Sequence, residues 1–391
     1  MTDLASELRP QVDWIRRLVA HNTTSRLSNH PLIEDVETYL EGLGITWCRI
    51  PNTDGSKSNL FFSVGPQVEG GVILSGHSDV VPVDGQAWSS DPFDVDIRGN
   101  RLYGRGTADM KSFLGIALSL VPEMLAADLK RPIHIAISHD EEDGLVGAPA
   151  LISALEKEIP TPAAVIVGEP TLMTIVEAHK GITGYRTTVL GHETHSSLPQ
   201  LGVSAIMTGA KLIAHIGELA EALASEPVGD SEFTPPYSTI GVGVLSGGTS
   251  PNILARRCEF IWDVRATSRD AQEEIVANVL SKAMELELEM KERFDDCSIN
   301  SELLVDAPPL EPDPDNRAVS LLRELTGRNS VCSVSYAAEA GMFQKAGFET
   351  AICGPGSIEQ AHKPDEYIEL EQVQAGLLMQ RRLIQQLALG R

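Results

Sequence analysis

The hydrophobic residues in the first half of the chain alternate between short apolar runs and longer segments with helical spacing. This alternation is typical of a mostly parallel sheet that is covered by helices. The short runs predict strands at residues 72–75, 133–138 and 163–167. The helical spacing predicts helices at residues 10–20, 32–43, 112–125 and 147–157.

Beyond residue 180 the pattern changes to that of a small α+β domain. Strands are predicted at residues 183–190, 237–245, 255–265 and 297–305, and helices at 203–223 and 270–294. Two helices among four strands suit a ferredoxin-like arrangement. After a proline-rich segment the alternation of helix and strand returns at residues 318–326 and 349–353. We therefore predict an α/β fold with a discontinuous larger domain (residues 1–180 and 306–391) and an inserted α+β domain (residues 181–305).

Length and charge limit the domain number and the partners of the protein. A chain of 391 residues is too long for one ordinary core, so we expect two or three domains. Its net charge of -24 repels nucleic acid and anionic membranes, so we expect neither as a partner. No apolar run approaches the roughly 20 residues of a membrane span, and no export signal is visible. Five widely spaced cysteines without a CxxC pair suit a reducing cytoplasm, where we expect the protein to act.

Acidic and imidazole side chains follow the predicted parallel strands. In parallel sheets, ligands bind beyond the carboxyl ends of the strands. The residues at such positions, together with one in the turn before an apolar helix, are His77, Asp79, Asp109, Asp140, Glu141, Glu142, Glu169 and His362. Two imidazoles and several carboxylates without a cysteine suit zinc, cobalt or manganese. Singly, each has an ordinary explanation, such as Asp109 as a helix N-cap, but together they predict a metal centre.

Several other catalytic motifs do not fit. The segment HETH at residues 192–195 lacks the HExxH spacing of a zinc helix. No GxSxG nucleophile elbow and no Walker loop occur, and GVGVLSGG does not match the dinucleotide fingerprint. A serine hydrolase, a nucleotidase or a dehydrogenase is therefore poorly supported.

One ordered set of motifs resembles a known family. The set comprises GHSDVVP, YGRGTADMK, DEED, GEPT, HSSLP, GGTSPNI and GPGSIEQAHKPDEY. It resembles the dimetal aminoacylases and peptidases, which include acetylornithine deacetylase, succinyl-diaminopimelate desuccinylase and carboxypeptidases. The resemblance extends from about His77 to Tyr367. Within the family, GTADMK and GPGSIEQAHKPDEY look most like acetylornithine deacetylase.

The resemblance implies a metallopeptidase-type catalytic domain with two divalent metal ions, zinc or cobalt. It implies that the inserted domain acts as a lid and forms a homodimer. His77 and Glu169 would hold one metal and Glu142 and His362 the other, with Asp109 bridging the two.

The resemblance also implies the catalytic roles. Glu141 would be the general base, and Asp79 would accept the second ring proton of His77. His195 on the lid would reach the active site of the partner subunit and stabilise the oxyanion.

The function implied is hydrolysis of N2-acetyl-L-ornithine to L-ornithine and acetate, a step of arginine biosynthesis. Asn252 and Arg265 would help to bind the substrate's carboxylate, and Glu339 would receive the ornithine ammonium, although an ordinary surface glutamate explains Glu339 equally well. Gly341 and Met342 depart from the relatives' pattern near the expected pocket, which leaves the amine open. The alternatives are a deacylase of another N-acyl amino acid, a dipeptidase or carboxypeptidase, and a non-catalytic homologue that binds a ligand. The intact ligand set argues against the last.

Overall fold

The computed structural model describes residues 3–225 and 232–390 and divides into two compact units. The first unit contains Met1–Ala178, Pro312–Cys332 and Ala338–Arg391, and the second contains His179–Glu311 and Ser333–Ala337. The short return of the chain to the second unit is absent from the predicted domain bounds. It follows from long-range hydrogen bonds, because the carbonyl of Val334 accepts from the N–H of Lys180 (3.3 Å) and Ser335 donates to the carbonyl of Thr234 (2.7 Å).

The strands and helices are numbered in chain order. The strands are β1 (Trp47–Pro51), β2 (Ser58–Val64), β3 (Val72–His77), β4 (Asp96–Arg98), β5 (Arg101–Tyr103), β6 (Ile133–Ser138), β7 (Ala164–Pro170), β8 (Ile175–His179), β9 (Gly181–Leu190), β10 (Thr239–Gly247), β11 (Arg257–Ala266), β12 (Ser298–Ala307), β13 (Val331–Val334), β14 (Thr350–Gly354) and β15 (Tyr367–Glu369). The α-helices are α1 (Asp3–Glu7), α2 (Arg9–Val19), α3 (His30–Gly42), α4 (Lys111–Ser119), α5 (Val121–Ala126), α6 (Ala148–Glu158), α7 (Ala205–Ser225), α8 (Arg269–Lys291), α9 (Arg317–Thr326), α10 (Ala340–Lys345) and α11 (Leu370–Ala388).

An eight-stranded sheet forms the centre of the first unit, in the order β1-β2-β6-β3-β7-β14-β8-β13. Its four middle strands, β6, β3, β7 and β14, are parallel neighbours, whereas β1 and β2 pair antiparallel at one side. Every residue of the four parallel strands is buried. Helices pack on the sheet, and α4 contacts both α2 and α11. The carboxyl ends of the parallel strands therefore lie together at one edge.

The helix predicted at residues 112–125 is in fact two helices, α4 and α5, which meet at Leu120. Pro122 has no N–H, so it cannot form the helical hydrogen bond to the carbonyl of Leu118. The hydroxyl of Tyr39 donates to that carbonyl instead (3.0 Å). The break thus follows from the proline and is stabilised from outside the helix.

The second unit has the order β9-α7-β10-β11-α8-β12, which is the βαββαβ pattern of a ferredoxin-like fold. Its sheet is antiparallel in the order β10-β11-β9-β12. Alternate residues of β11 are buried, and Phe260 and Trp262 lie in the core that α7 and α8 cover. The predicted α/β class with a ferredoxin-like second part is confirmed. Within the described residues, no helix is both long enough and apolar enough to cross a membrane.

Candidate metal centre

The predicted ligands lie where the parallel strands of the first unit end. His77 is the last residue of β3, and Glu169 is near the end of β7. Glu141 and Glu142 follow β6, and His362 follows β14 after a short 3₁₀ turn. These four strands are adjacent in the sheet, so chain segments that are far apart in sequence converge there.

Two local features place Glu169 and Asp109 at this edge. Gly168 precedes Glu169, and a Cβ there would lie 2.1 Å from the ring of Phe113 in α4. Only glycine lets β7 pass this close to the helix. Asp109 lies just before α4, whose first residue, Lys111, is fully buried and donates to two carbonyls at the end of α2 (3.1 and 2.9 Å). Lys111 therefore fixes the end of the Asp109 loop.

Asp109 lies between the two imidazoles. Its Oδ1 is 3.0 Å from Nε2 of His77, and its Oδ2 is 3.4 Å from Nε2 of His362. Glu169 extends the group on one side, with Oε1 at 3.9 Å from Nε2 of His77. Glu142 extends it on the other, at 3.0 Å from Nε2 of His362. The structure thus brings together all five predicted ligands, with Asp109 central.

Two overlapping groups of side chains have ligand atoms within 4.8 Å of one another: His77, Glu141 and Glu169, and His77, Asp109 and Glu142. Glu141 is therefore also within reach of the cluster, and it lies on the Glu169 side. Only Glu142, of these two adjacent glutamates, hydrogen-bonds to His362. The division between Glu142 as a ligand and Glu141 as the general base stays a prediction, because each glutamate belongs to one of the two candidate groups.

Asp79 hydrogen-bonds to His77 through its main-chain carbonyl and not, as predicted, through its carboxylate. Nδ1 of His77 donates to the main-chain carbonyl of Asp79 at 2.9 Å, whereas the nearest carboxylate oxygen is 3.7 Å away. The carboxylate accepts instead from the N–H groups of Glu141 (3.1 Å) and Glu142 (3.2 Å) and from the hydroxyl of Ser25 (2.7 Å). A tight turn exposes main-chain N–H groups that need acceptors, and Asp79 supplies one. Its carboxylate therefore holds the Glu141–Glu142 turn.

Crowding of buried carboxylates dominates the electrostatics. Burial, with repulsion from Glu169, raises the pKa of Glu141 well above its ordinary value. Burial, with repulsion from Asp109, raises the pKa of Glu142 to about 7 and also raises that of Glu169. Hydrogen bonds to Asp109 and Glu142 raise the pKa of His362 to about 10. A divalent cation would relieve this repulsion, because it favours the ionised carboxylates.

The residues present fit such a cation on independent grounds. Oε1 of Glu169 is buried and has no hydrogen-bond partner among the described residues. A buried carboxylate oxygen without a partner is costly unless something positively charged meets it. The donors around it are imidazole nitrogens and carboxylate oxygens, a set that zinc, cobalt and manganese accept.

Glu339 does not lie where the prediction requires. It is 1% exposed, and the hydroxyls of Ser75 (2.5 Å) and Ser138 (2.9 Å) donate to its two carboxylate oxygens. Ser75 is two residues before His77 in β3, so Glu339 lies beneath the cluster. This burial and the two serine hydrogen bonds argue against the predicted contact with an ornithine ammonium, because both carboxylate oxygens already have donors.

In the second unit, His195 and Asn252 are exposed and lie on two loops that pair with each other. The carbonyl of Asn252 accepts from the N–H of Ser196 (2.9 Å), and His195 forms an isolated β-bridge with Ile253. Arg265, in contrast, lies near the far end of β11. The eight residue steps from Arg257 to Arg265 span about 26 Å at about 3.3 Å per residue. Arg265 therefore lies about eight residues of extended strand beyond the end of β11 that is nearer to Asn252 in the chain.

The residues that support the predicted ligands were not predicted from the sequence. Ser25 holds Asp79, and Lys57 forms an ion pair with Asp140, which also accepts a hydrogen bond from His139 (3.0 Å). Glu366 accepts from the N–H of Asp109 (3.1 Å). Its place in the segment HKPDEY beside His362 was the one sequence signal that pointed to it.

A family profile and a relative of known name both match most of the chain. The profile of peptidase family M20/M25/M40 matches residues 73–386. The acetylornithine deacetylase of Photorhabdus laumondii is 34% identical over 372 residues, which cover 93% of this chain and 94% of that protein.

Two solved structures share the fold. Aminopeptidase PepT from Bacillus cereus superposes with a TM-score of 0.74 at 20% identity, covering 97% of this chain and 98% of that one. The YXEP protein of Bacillus subtilis, described as a dinuclear metal-binding peptidase, superposes with a TM-score of 0.65 at 13% identity, covering 98% of both chains.

Proposed function

This chain belongs to peptidase family M20/M25/M40, and on that premise we propose that it hydrolyses the amide bond of an N-acyl amino acid. The observation that carries the proposal is the cluster of side chains around Asp109. Asp109 lies between two imidazoles, and three further carboxylates lie close to them. The substrate proposed is N2-acetyl-L-ornithine, because several relatives that match over 93–94% of the chain at 33–34% identity are acetylornithine deacetylases.

Two divalent metal ions, zinc or cobalt, are the cofactors proposed. His77 and Glu169 would hold one ion, Glu142 and His362 the other, and Asp109 both. Such ions lower the pKa of water toward neutrality and polarise a carbonyl group. The distances from Asp109 to the two imidazoles, 3.0 and 3.4 Å, support this assignment, because one short carboxylate then serves both halves of the cluster.

Glu141 is the proton carrier in this proposal. Its raised pKa suits a carboxylate that takes a proton from the attacking water and later gives it to the leaving amine nitrogen. Asp79 holds it in place through the main-chain hydrogen bonds of the turn. No covalent acyl-enzyme is required, which agrees with the lack of a nucleophile motif in the sequence.

His195 is the donor proposed for the developing oxyanion. Its Nδ1 is 2.7 Å from the hydroxyl of Ser197, which fixes the ring, and no described residue hydrogen-bonds to Nε2. The Nε2–H is therefore available to a substrate oxygen. By analogy with the family, the active site that it serves is the partner's, and Arg265 and Asn252 would then reach one substrate from different subunits.

A homodimer through the second unit is part of the same proposal. Strand β10 is an edge strand, and Val244 and Leu245 on it are 55% and 60% exposed. Met207 on α7, which packs on β10, is 66% exposed. An unprotected apolar edge strand is a pairing site. Leu245→Lys should yield monomers in light scattering, whereas Leu303→Lys on the opposite edge strand β12 should remain dimeric; a monomeric native protein would contradict the proposal.

The proposed location is the cytoplasm. Cys258, Cys297 and Cys353 are buried and form no disulfide. Unpaired thiols are typical of reducing compartments. There the products, ornithine and acetate, would serve arginine biosynthesis.

A substrate panel tests the proposal. Protein loaded with zinc or cobalt is assayed with N2-acetyl-L-ornithine, N-acetyl-L-methionine, N-succinyl-L,L-diaminopimelate and a dipeptide. We expect the highest kcat/KM for acetylornithine. A preference for the succinyl compound or the dipeptide would contradict the substrate assignment. Failure to hydrolyse any of the four with both metals bound would favour a non-catalytic homologue.

A further inference from the structure

Three side chains that the proposed reaction does not use lie directly beside Asp109 and His362. They are Gln86, Arg105 and Glu366, and they form one connected network. Arg105 and Glu366 are each 1% exposed and form an ion pair at 2.7 Å. A buried ion pair of this kind contributes little net stability, because desolvation offsets the attraction. Its position beside two ligands therefore calls for another explanation.

Glu366 organises the Asp109 loop. Its carboxylate accepts from three main-chain N–H groups of that loop, those of Gly106 (3.0 Å), Ala108 (2.8 Å) and Asp109 itself (3.1 Å). Glu366 also lies only four residues after His362. One buried carboxylate thus joins the loop of Asp109 to the loop of His362.

Gln86 completes the network on the other side of His362. Its side-chain nitrogen donates to the main-chain carbonyl of His362 (2.9 Å). Its side-chain oxygen accepts from Arg105 (2.6 Å) and from the indole of Trp88 (3.0 Å). The amide of Gln86 is therefore oriented by two donors, so that its own N–H points at His362.

His362 needs such support. Its φ is +64°, a left-handed conformation that residues other than glycine rarely adopt. Its side chain is 53% exposed, so packing does not fix it. The hydrogen bond from Gln86 holds the main chain of His362 where its ring can reach Asp109 and Glu142.

We propose that Gln86 is a positioning residue for the metal ligand His362, and that Arg105 and Glu366 extend the same support to Asp109. The inference rests on the metal centre proposed above. Groups that orient ligands in this way set the affinity of a metal site, and their loss weakens it by about 10–100-fold. Among the proposed ligands Gln86 hydrogen-bonds directly to His362 alone, so its loss should weaken the metal that His362 holds and spare the other.

Metal titration of the metal-free full-length protein tests the inference. Zinc is added in competition with a chromophoric chelator, and cobalt uptake is followed by its visible absorption. The native protein is expected to bind two equivalents. Gln86→Ala is expected to weaken one equivalent by about 10–100-fold and leave the other within about twofold. Gln86→Glu keeps an acceptor for Arg105 but cannot donate to His362, so it should weaken the same equivalent.

The matched control is Ser89→Ala. The hydroxyl of Ser89 donates to Asp365 (2.8 Å), so it joins the same two loops without contacting a ligand. The Ser89→Ala variant should bind both metal equivalents with the affinity of the native protein. Native-like binding by Gln86→Ala or by Gln86→Glu would overturn the inference, as would equal weakening in Ser89→Ala. A native protein that takes up no metal would overturn the metal centre itself, a result distinct from either of these.

Discussion

Replacing Asp79 by asparagine tests how the turn that carries Glu141 and Glu142 is held. The carboxylate of Asp79 has three donors: two main-chain N–H groups of the turn and the hydroxyl of Ser25. Asparagine keeps the size of the side chain but offers one oxygen instead of two. One N–H of the turn must then face an NH₂ group.

The magnitude follows from that loss. A buried donor left without an acceptor costs about 1–3 kcal/mol. Removing a negative charge near four other carboxylates offsets part of this cost, so we expect a loss of about 1–2 kcal/mol in the free energy of unfolding. A displacement of Glu141 by about 1 Å can cost about 100-fold in rate, and kcat should fall by that order.

The assay combines urea denaturation, metal content and kcat per bound metal. Ser25→Ala is the matched control, because it removes one donor and leaves both carboxylate oxygens to the turn; its kcat should stay within about threefold of the native value. Native stability and native kcat in Asp79→Asn would refute the role assigned to the carboxylate. Loss of metal with an unchanged rate per bound metal would show that the carboxylate acts on His77 instead.

Two further variants test separate parts of the site. His195→Ala should lower kcat by about 10²–10³-fold, the usual effect of losing an oxyanion donor, while metal content and dimer mass stay native; an unchanged rate would give the loop another role. Glu339→Gln should change kcat/KM for acetylornithine and acetylmethionine by the same factor, because the carboxylate is buried beneath two serine hydroxyls. A loss of kcat/KM with acetylornithine alone would support the predicted contact between Glu339 and the ornithine ammonium.

The elements that the sequence predicts well are those buried on both faces. Every residue of strands β3, β6, β7 and β14 is buried, so these strands consist mainly of apolar residues, and a run at each of them was identified. Strand β2 escaped prediction since it begins with Ser58 and Asn59, which are polar yet fully buried. Asn59 satisfies its side chain by donating to the carbonyl of Gly147 (2.9 Å), a contact that no local pattern reveals.

In the site, too, local sequence patterns were predictable and contacts between distant segments were not. Four of the five ligand positions were predictable because each follows a strand whose end is visible in the sequence, and Asp109 was predictable from the turn before an apolar helix. The supporting contacts were not, since Gln86 and His362 are 276 residues apart. The burial of Glu339 was not foreseen for a related reason: sequence does not distinguish an acid at the surface from one that is buried and hydrogen-bonded to two serines.

In the proposed mechanism a metal cluster and a separate proton carrier, Glu141, act together on an amide. Metal content and turnover of Glu141→Gln, measured on the same sample, test it most directly. We expect Glu141→Gln to bind two metals, as the native protein does, with kcat on acetylornithine reduced by about 10²–10⁴-fold. Loss of a metal from Glu141→Gln, or native turnover with both metals bound, would contradict it.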